Sequence, residues 1–269
     1  ITTTLKRVSG LSLFAAGALL ASQAALGCQT SAWSVTDGAV TAGDPAVEGI
    51  ARYQGLCGLE VTDSGFVQDN SPNGIDRIVA RFYVLKDSTA PATIDIYGGF
   101  SANDGTGEVF NVTLDAAGVV RLTDTTTSDF VEQGGSTNWL SVEIDWARGA
   151  GDGVISLSVN GQPAVENTSV GNGAAAALQS VRLGNLNGAA GTLGFDSYES
   201  RRSTAVGRLV VADANNDGNL STGDLVAVRN ELLAPAEPSA LASGTPDCNE
   251  DGGVSTGDLV CIRNILLAP

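Results

Sequence analysis

Histidine is absent from the 269-residue chain. Without an imidazole side chain, a Ser-His-Asp triad and histidine-bound zinc or iron sites are excluded. Basic residues are scarce as well, because 14 lysines and arginines stand against 30 aspartates and glutamates and leave a net charge of −16. A surface of this sign repels a phosphate backbone, so the sequence predicts no nucleic-acid partner.

Aromatic residues are also few, at 5% of the chain, whereas glycine is abundant with 34 residues. Apolar residues make up 43% and charged residues only 16%, which favours a folded chain over a disordered one. The length is enough for one large or two modest domains with real cores. This composition is typical of a turn-rich β protein rather than of a helical bundle.

Long apolar runs are lacking except near the N-terminus, where residues 11–25 follow Lys6 and Arg7. A short basic region, an apolar stretch of this length and small residues after it are typical of a secretory signal peptide. The stretch is shorter than the roughly 20 residues that a transmembrane helix needs. We therefore expect residues 1–27 to be a signal peptide. The remaining chain is expected to be secreted or held at the cell surface and not membrane-spanning.

Cysteine is rare, with four residues at Cys28, Cys57, Cys248 and Cys261. Export would allow disulfides, and four cysteines can pair in three ways. Because two cysteines lie near each end of the exported chain, we expect the pairs Cys28–Cys57 and Cys248–Cys261. A second use of Cys28 stays open, since a lipoprotein would carry its lipid on the first cysteine after the signal peptide.

A tandem repeat at the C-terminus is the strongest feature of the sequence. Residues 213–235 and 247–269 agree at sixteen of twenty-three aligned positions. Each copy begins with a twelve-residue loop that is rich in oxygen-bearing residues at positions 1, 3, 5, 7, 9 and 12. These residues are Asp213, Asn215, Asp217, Asn219, Ser221 and Asp224 in the first copy and Asp247, Asn249, Asp251, Gly253, Ser255 and Asp258 in the second.

This spacing is typical of a calcium-binding loop. Ca²⁺ takes six to eight oxygen ligands, and alternate loop residues can direct side-chain or carbonyl oxygens inward around it. Gly218 and Gly252 stand at position 6, where such a loop turns sharply. We therefore expect one Ca²⁺ in each loop, two ions in all. The alternative interpretation is a pair of turns that only cap two helices.

The repeat resembles the dockerin type I module, in which each calcium loop is followed by one helix and position 12 is typically aspartate. Apolar residues recur after each loop at the spacing i, i+3 and i+7, which predicts one amphipathic helix per copy. These apolar residues are Leu225, Val228 and Leu232 in the first copy and Leu259, Ile262 and Leu266 in the second. Arg229 and Arg263 occupy the basic position that dockerins usually carry midway along this helix.

The resemblance implies a dockerin-like calcium module over residues 208–269, with residues 208–212 read as a strand before the first loop. Dockerins that bind a cohesin present a Ser-Thr-like pair at loop positions 10 and 11. Here both copies carry Thr-Gly, at 222–223 and at 256–257. The resemblance therefore implies calcium binding directly, and it leaves a cohesin-like partner open.

The repeat also bears on the second disulfide. The first copy has Ala214 and Ala227 where the second has Cys248 and Cys261. Both positions are small in one copy and cysteine in the other, as expected for two positions in contact. A bridge between them would stabilise the module by about 2–4 kcal/mol.

The long segment 28–207 predicts an antiparallel β-sandwich or jelly roll. Short stretches of alternating apolar and polar residues are separated by clusters of Gly, Asn, Asp and Ser, and no stretch shows a sustained helical period. The clearest alternations cover 78–84, 110–114, 140–146, 155–159 and 181–186. Asn160-Gly161 predicts a tight hairpin turn, because both residues tolerate positive φ. The fold class is therefore mainly β, followed by a small α-helical module with EF-hand-like loops.

The segment from Trp139 to Asp196 resembles the concanavalin A-like, laminin-G-like family. The likeness rests on a Trp-led strand, on a hairpin that ends in Val159-Asn-Gly161, and on a late strand that reads Leu193-Gly-Phe-Asp196. This family includes glycan-binding and protein-binding domains as well as some glycosidases, so the resemblance implies recognition of a glycan or a protein.

Glu143 and Asp145 are the acidic pair of this segment that could serve catalysis or ligand binding. They lie on one face of a predicted strand, about 6.8 Å apart along the chain, and retaining glycosidases hold two carboxyl groups about 5–5.5 Å apart. The laminarinase-like branch of the fold uses a Glu-x-Asp-x-Glu run, but here Ala147 replaces the second Glu. Acidic residues on an outer strand face more commonly serve solvation, so we predict no catalytic residue.

Trp139 is the aromatic residue that could stack on a sugar. It lies on the outward parity of its strand, and Tyr83 and Tyr97 are assigned to outward faces as well, whereas Trp146 faces the core. Packing at the strand end is the alternative role of Trp139.

The sequence as a whole predicts an exported, non-catalytic calcium-binding protein. In this interpretation the sandwich recognises an extracellular glycan or a surface protein, and the dockerin-like module is a calcium-stabilised docking unit. Two other classes of function stay open. One is a glycoside hydrolase that uses Glu143 and Asp145, and the other is a calcium-dependent structural subunit of a surface layer or filament.

Overall fold

The structure of the chain is a computed structural model. It describes residues 28–43, 49–54, 57–86, 92–135, 138–215, 219–233, 246–249 and 254–268. The predicted signal peptide, residues 1–27, lies outside these residues.

Twelve strands and two α-helices make up the described fold. The strands are β1 (Val35–Gly43), β2 (Gly58–Asp69), β3 (Arg77–Lys86), β4 (Ile94–Phe100), β5 (Glu108–Leu114), β6 (Val119–Asp124), β7 (Phe130–Gly134), β8 (Leu140–Ala147), β9 (Gly153–Val159), β10 (Val165–Val170), β11 (Ser180–Asn185) and β12 (Thr192–Arg201). The helices are α1 (Thr222–Leu233) and α2 (Thr256–Leu267), and a short 3-10 helix covers Thr30–Ala32.

The strands form two antiparallel layers that meet at β2. Strand β2 pairs with β1 along one side, and on its other side its first half pairs with β12 and its second half with β11. One layer continues from β12 through β3, β8 and β9 to β10, and the other continues from β11 through β4, β5 and β6 to β7. The predicted antiparallel sandwich is therefore confirmed, and so is its order before a C-terminal helical module.

A single large apolar core lies between the two layers. Rings from opposite layers touch there: the centroids of Phe110 and Trp146 are 5.6 Å apart, and those of Phe82 and Tyr97 are 5.3 Å apart. The alternating residues of 78–84, 110–114, 140–146 and 155–159 point into this core, as their period predicts. The outward assignment of Tyr97 is wrong, because a bulge between Asp95 and Tyr97 turns its side chain into the core.

The predicted hairpin turn between β9 and β10 is confirmed. Asn160 has φ of 53° and Gly161 has φ of 68°, which is the left-handed backbone that a two-residue Asn-Gly turn requires. Asn160 also accepts a 2.9 Å hydrogen bond from the backbone N–H of Ser141 through its side chain, so the turn is tied to the neighbouring strand β8.

A buried carboxylate connects the two layers at the β6 end of the sandwich. Asp124 is fully buried, and one of its oxygens accepts hydrogen bonds from the Trp146 indole at 2.8 Å and from the Asn172 amide at 2.7 Å. Its other oxygen accepts from the backbone N–H groups of Thr126 and Thr127, each at 3.0 Å. Because Asp124 ends β6 and Trp146 lies on β8, this one side chain holds both layers.

A pair of facing glycines lets the β1–β2 ribbon bend as it passes from one layer to the other. Gly38 lies opposite Gly65, next to an irregularity in the register, and Gly38 has φ of 76°. A Cβ atom on Gly65 would lie 2.9 Å from the backbone nitrogen of Ala39 and 2.9 Å from the carbonyl oxygen of Asp37. The two strands can approach this closely only where side chains are missing.

Both predicted disulfides are present. Cys28 is bonded to Cys57 and Cys248 to Cys261, with Cα–Cα distances of 5.3 Å and 5.8 Å. The first bond uses the Cys28 sulfur, and the same sulfur cannot also carry the thioether of a lipid anchor. The structure therefore favours the disulfide over the lipoprotein alternative at this residue.

The two C-terminal helices pack against each other around a small core of their own. Val228 of α1 and Ile262 of α2 stand at equivalent positions of the repeat and are fully buried. The other apolar residues that the sequence assigns to the inner helix faces contact the same cluster, so that prediction is confirmed. Among the described residues, neither helix has the length and apolar character that a membrane crossing needs.

The glycine contact gives a prediction about stability. Gly65→Ala forces two backbone atoms apart, so we expect it to lower the free energy of unfolding by about 1–3 kcal/mol. Gly134→Ala is the matched control, because a Cβ at Gly134 meets no atom within 4 Å, and its stability should change by less than about 0.5 kcal/mol. Urea denaturation of the three proteins measures the effect, and equal midpoints would contradict it.

Candidate functional site

The repeat places two loops in front of the two helices, and their described parts have the same hydrogen bonds. Positions 1 to 3 and 8 to 12 of both loops are described, and so is position 7 of the first loop. The predicted ligands Asp217, Asp251 and Gly253 and the turn glycines Gly218 and Gly252 lie outside the described residues.

The aspartate at position 12 organises each loop. In the first loop, one oxygen of Asp224 accepts from the backbone N–H of Asn215 at 3.2 Å, and the other accepts from that of Ser221 at 2.7 Å. In the second loop, Asp258 makes the same two hydrogen bonds, with Asn249 at 3.2 Å and with Ser255 at 2.7 Å. Position 12 therefore draws positions 3 and 9 together in both copies.

The same residues begin the helices. Ser255 is the N-cap of α2, its side chain accepts from Gly257 N–H, and Asp258 closes a capping box by accepting from the Ser255 backbone. In the first copy, the Ser221 hydroxyl accepts from Gly223 N–H at 3.0 Å. Helix capping thus accounts for part of the conservation between the two copies, although it leaves the aspartate at position 1 unexplained.

Burial and charge at the loops fit a divalent cation. The two end aspartates of each loop are buried, with exposures of 1% at Asp213, 0% at Asp224, 6% at Asp247 and 0% at Asp258. Within the described parts of the chain, neither Asp224 nor Asp258 forms an ion pair with a lysine or arginine. A buried carboxylate without a positive partner is costly. Oxygen ligands of this kind are the ones that Ca²⁺ prefers.

Basic side chains of the module do not supply the missing charge. Between residues 211 and 267 the sequence has nine acidic residues and only two basic ones, Arg229 and Arg263. Both arginines are exposed, and each donates a 3.0 Å hydrogen bond to the side chain of the next residue, Asn230 or Asn264. The module therefore carries a net negative charge that bound calcium would offset.

Residues 211–267 match the family model of the Dockerin type I domain. The C-terminal segment is a dockerin type I module. Dockerin type I domains bind calcium, which agrees with the buried carboxylates of the two loops. The resemblance predicted from the repeat is therefore confirmed for this part of the chain.

The sandwich is similar in fold to several solved structures, all at low identity. One is the "Botulinum Neurotoxin Type G Receptor Binding Domain", with 12% identity and a TM-score of 0.44 over 64% of this chain and 44% of that one. Another is "Cellulose induced protein, Cip1", with 14% identity and a TM-score of 0.45 over 64% and 88%. A Trypanosoma rangeli sialidase gives 15% identity and a TM-score of 0.42 over 55% and 26%.

The chain spans less than half the length of the toxin binding domains that it matches. Comparison with curated proteins gives no match.

The outer face of the sandwich is covered by the segment that leads to the dockerin module. We call this segment, residues 206–209, the strap. The carboxylate of Glu143 accepts hydrogen bonds from the backbone N–H groups of Val206 at 3.0 Å and of Gly207 at 2.5 Å. Arg81 donates to the Gly207 carbonyl at 3.2 Å, and Leu209 N–H donates to the Tyr83 hydroxyl at 2.9 Å.

The strand predicted over residues 208–212 is wrong. The structure has no strand there, because the backbone groups of the strap bond to side chains of the sandwich instead of to a neighbouring strand. Leu209 thus lies on the outer face of the sheet rather than in a strand at its edge.

Trp139 belongs to a second, smaller cluster on this outer face. It is 7% exposed and packs edge-on against Tyr53 with ring centroids 5.8 Å apart, while Tyr53 stacks on Tyr83 at 3.7 Å. Leu209 of the strap packs against the same cluster. The outward parity of Trp139 and Tyr83 is correct, but both rings are covered, and Trp139 has the packing role that the sequence left as its alternative.

The partners of the two carboxylates bear on the catalytic alternative. Glu143 is engaged by the strap, whereas Asp145 forms an ion pair with Arg77 in which two nitrogens donate at 3.0 Å and 2.6 Å. Each carboxylate therefore has a structural partner within the chain. No signal in the sequence shows this, because the strap and Arg77 are both distant from β8 along the chain.

The strap gives a prediction about local opening. Trypsin can cut after Arg208 only when the strap leaves the sheet. Glu143→Gln replaces two hydrogen bonds to a charged acceptor by neutral ones, so we expect cleavage after Arg208 to be about tenfold faster. Asp145→Asn is the matched control, since Asp145 lies on the same strand and does not touch the strap. Mass spectrometry of timed digests measures the rates, and a Glu143→Gln rate equal to that of Asp145→Asn would contradict the anchoring role.

Proposed function

We propose that the chain is an exported, non-catalytic calcium-binding protein. In this proposal the dockerin module is a calcium-stabilised docking unit that binds two ions, and the sandwich recognises an extracellular glycan or a surface protein. The buried end aspartates of the two loops, within a segment that matches the Dockerin type I domain, are the observation that carries it. Two disulfides support an oxidising compartment outside the cytosol.

A binding role for the sandwich, rather than a catalytic one, is supported by the contacts of its acidic pair. A general acid or a nucleophile must be able to reach its substrate. The Glu143 carboxylate is covered by backbone N–H groups of the strap, and Asp145 is held by Arg77. Since the chain has no histidine, a hydrolase would have to use carboxyl groups such as these two.

A cohesin-like partner is supported by what the helices expose. Val226 and Val260, at equivalent positions of the repeat, are 47% and 48% exposed, and Leu233 and Leu267 are both 74% exposed. Apolar side chains that are exposed at matching positions of both helices favour an interaction surface. The Thr-Gly pairs at the helix starts distinguish this surface from that of dockerins with a Ser-Thr-like pair, so its partner is expected to differ at those two positions.

Calcium binding is the first consequence to test. We expect calorimetric titration of Ca²⁺ into the chelator-treated protein to show two sites with dissociation constants of about 10⁻⁶ to 10⁻³ M. The melting temperature should rise with Ca²⁺, since an ion at 100 times its dissociation constant adds about 2.7 kcal/mol per site. No binding, or a melt that is indifferent to Ca²⁺, would mean that the loops only cap the helices.

Variants assign the two sites. Asp224→Asn and Asp258→Asn should each remove or strongly weaken one site and leave the other, because asparagine keeps a capping oxygen but loses the charge. Asp152→Asn, on an exposed turn of the sandwich, makes the same change in net charge and should leave both sites intact. If Asp152→Asn weakened Ca²⁺ as much as Asp224→Asn, overall charge rather than the loops would explain binding.

A further inference from the structure

A cleft lies where the segment 29–33 packs against the sandwich. None of the sequence motifs predicts it. It has a volume of about 160 Å³, so it holds a ring-sized group rather than a single water. Its walls come from five parts of the chain, which are residues 29, 30 and 33, Ala42 of β1, residues 57–59 at the start of β2, Leu183 of β11 and residues 195–198 of β12. A second, more open depression of about 440 Å³ continues along residues 28–31 and 40–42.

The cleft has an aromatic wall. The rings of Trp33 and Tyr198 touch there with their centroids 5.1 Å apart. Both rings are only half-buried, and Tyr198 is fixed from behind by a 3.1 Å hydrogen bond between its hydroxyl and that of Tyr97. Burial raises the pKa of Tyr198 to about 12, so its hydroxyl stays protonated at neutral pH. The aromatic wall is thus uncharged, and its Tyr198 ring is held in place.

Polar groups without protein partners line the same cleft. In the described part of the chain, the Gln29 amide, the Thr30 hydroxyl and the Trp33 indole N–H make no hydrogen bond to other residues. Binding pockets combine apolar walls with a few such groups, which fix the orientation of the ligand. The hydroxyls of Ser31 and Thr41 extend this polar edge along the open depression.

The backbone around the cleft is held in an uncommon conformation. Strand β12 has a bulge between Asp196 and Glu199, and within it Ser197 has φ of 50°. Bulges and left-handed residues other than glycine concentrate near functional sites, where they direct a side chain. Here the bulge brings Tyr198 to the main core and to Trp33, so it builds the aromatic wall.

The cleft offers no charge to a ligand. Its one acidic residue, Asp196, accepts hydrogen bonds from Tyr53 N–H at 2.6 Å and Gln54 N–H at 2.8 Å with one oxygen. Its other oxygen accepts from Ser197 N–H at 2.5 Å. No lysine or arginine lines the cleft, and the chain as a whole is strongly negative. An anionic ligand would therefore be repelled, and a cation would find no open carboxylate.

We propose that this cleft is the ligand site of the sandwich and that it binds a neutral sugar. Sugar rings present C–H groups on their faces and hydroxyls at their edges, which match the aromatic wall and the unpartnered polar groups. The deep part takes one ring, and the open depression takes the rest of a chain. This inference rests on the proposed recognition of glycans, and it places that recognition away from Trp139, Glu143 and Asp145.

The test uses the full calcium-loaded protein and six-residue oligosaccharides of cellulose, xylan and mannan, with a galacturonic acid hexamer as the acidic probe. We expect at least one neutral probe to bind by calorimetry and to change the tryptophan fluorescence. Trp33→Ala should weaken that binding about tenfold, because it removes the stacking ring. Thr30→Val changes only an edge hydroxyl and should weaken binding several-fold, which keeps the test valid if Trp33→Ala folds poorly.

Phe130→Ala is the matched control. Phe130 is 51% exposed on β7 and does not line the cleft, so its loss should leave binding unchanged. If a neutral probe binds and both cleft variants bind it normally, the cleft is the wrong site and glycan recognition stands. Binding of the acidic probe alone would overturn the neutral class of ligand. If no probe binds at millimolar concentration, both the cleft and glycan recognition are overturned, while calcium docking is tested separately by titration.

Discussion

Asp124 places a negative charge in the interior of the sandwich, where a lone carboxylate could not stay. The cost of burying this charge is offset by five hydrogen bonds. One oxygen accepts from the Trp146 indole and the Asn172 amide, and the other accepts from two backbone N–H groups and the Thr127 hydroxyl. Asn172 in turn accepts from Gly149 N–H at 2.8 Å. The two layers and the β8–β9 turn are thus fixed in register by one group, and the apolar core packs around that frame.

The sequence predicted the parts of the fold that depend on local periodicity. Alternating residues such as Ile78, Phe82 and Trp146 point into the core because successive side chains of a strand take opposite faces. Tyr97 breaks the rule through a bulge, which a period of two cannot reveal. The buried outer face was also missed, because Tyr53 and Leu209 reach it from segments that are distant along the chain.

The proposed calcium loops and the proposed sugar cleft differ in how far the sequence could predict them. All predicted ligands of a calcium loop lie within twelve consecutive residues, so the role of an aspartate such as Asp224 follows from its position in the loop. The tandem repeat therefore presents the same ligand pattern in two copies. The cleft has no such local pattern, because Trp33 and Tyr198 are far apart in the sequence and come into contact only in the folded chain. For Glu143 the sequence suggested either catalysis or simple solvation. An acidic residue on an outer strand face gives no sign that it binds a distant backbone segment, as Glu143 does.

The strap leaves almost no free linker between the two parts of the chain. Leu209 packs in the outer cluster of the sandwich and Val211 already packs in the core of the dockerin module, so that only Val210 lies between them. A partner that captures the module would therefore also fix the orientation of the sandwich. If one partner held several copies, each sandwich would keep the same orientation to its own module. The overall affinity of such an assembly for a repeating polymer would then depend on avidity and effective concentration more than on the affinity of each copy.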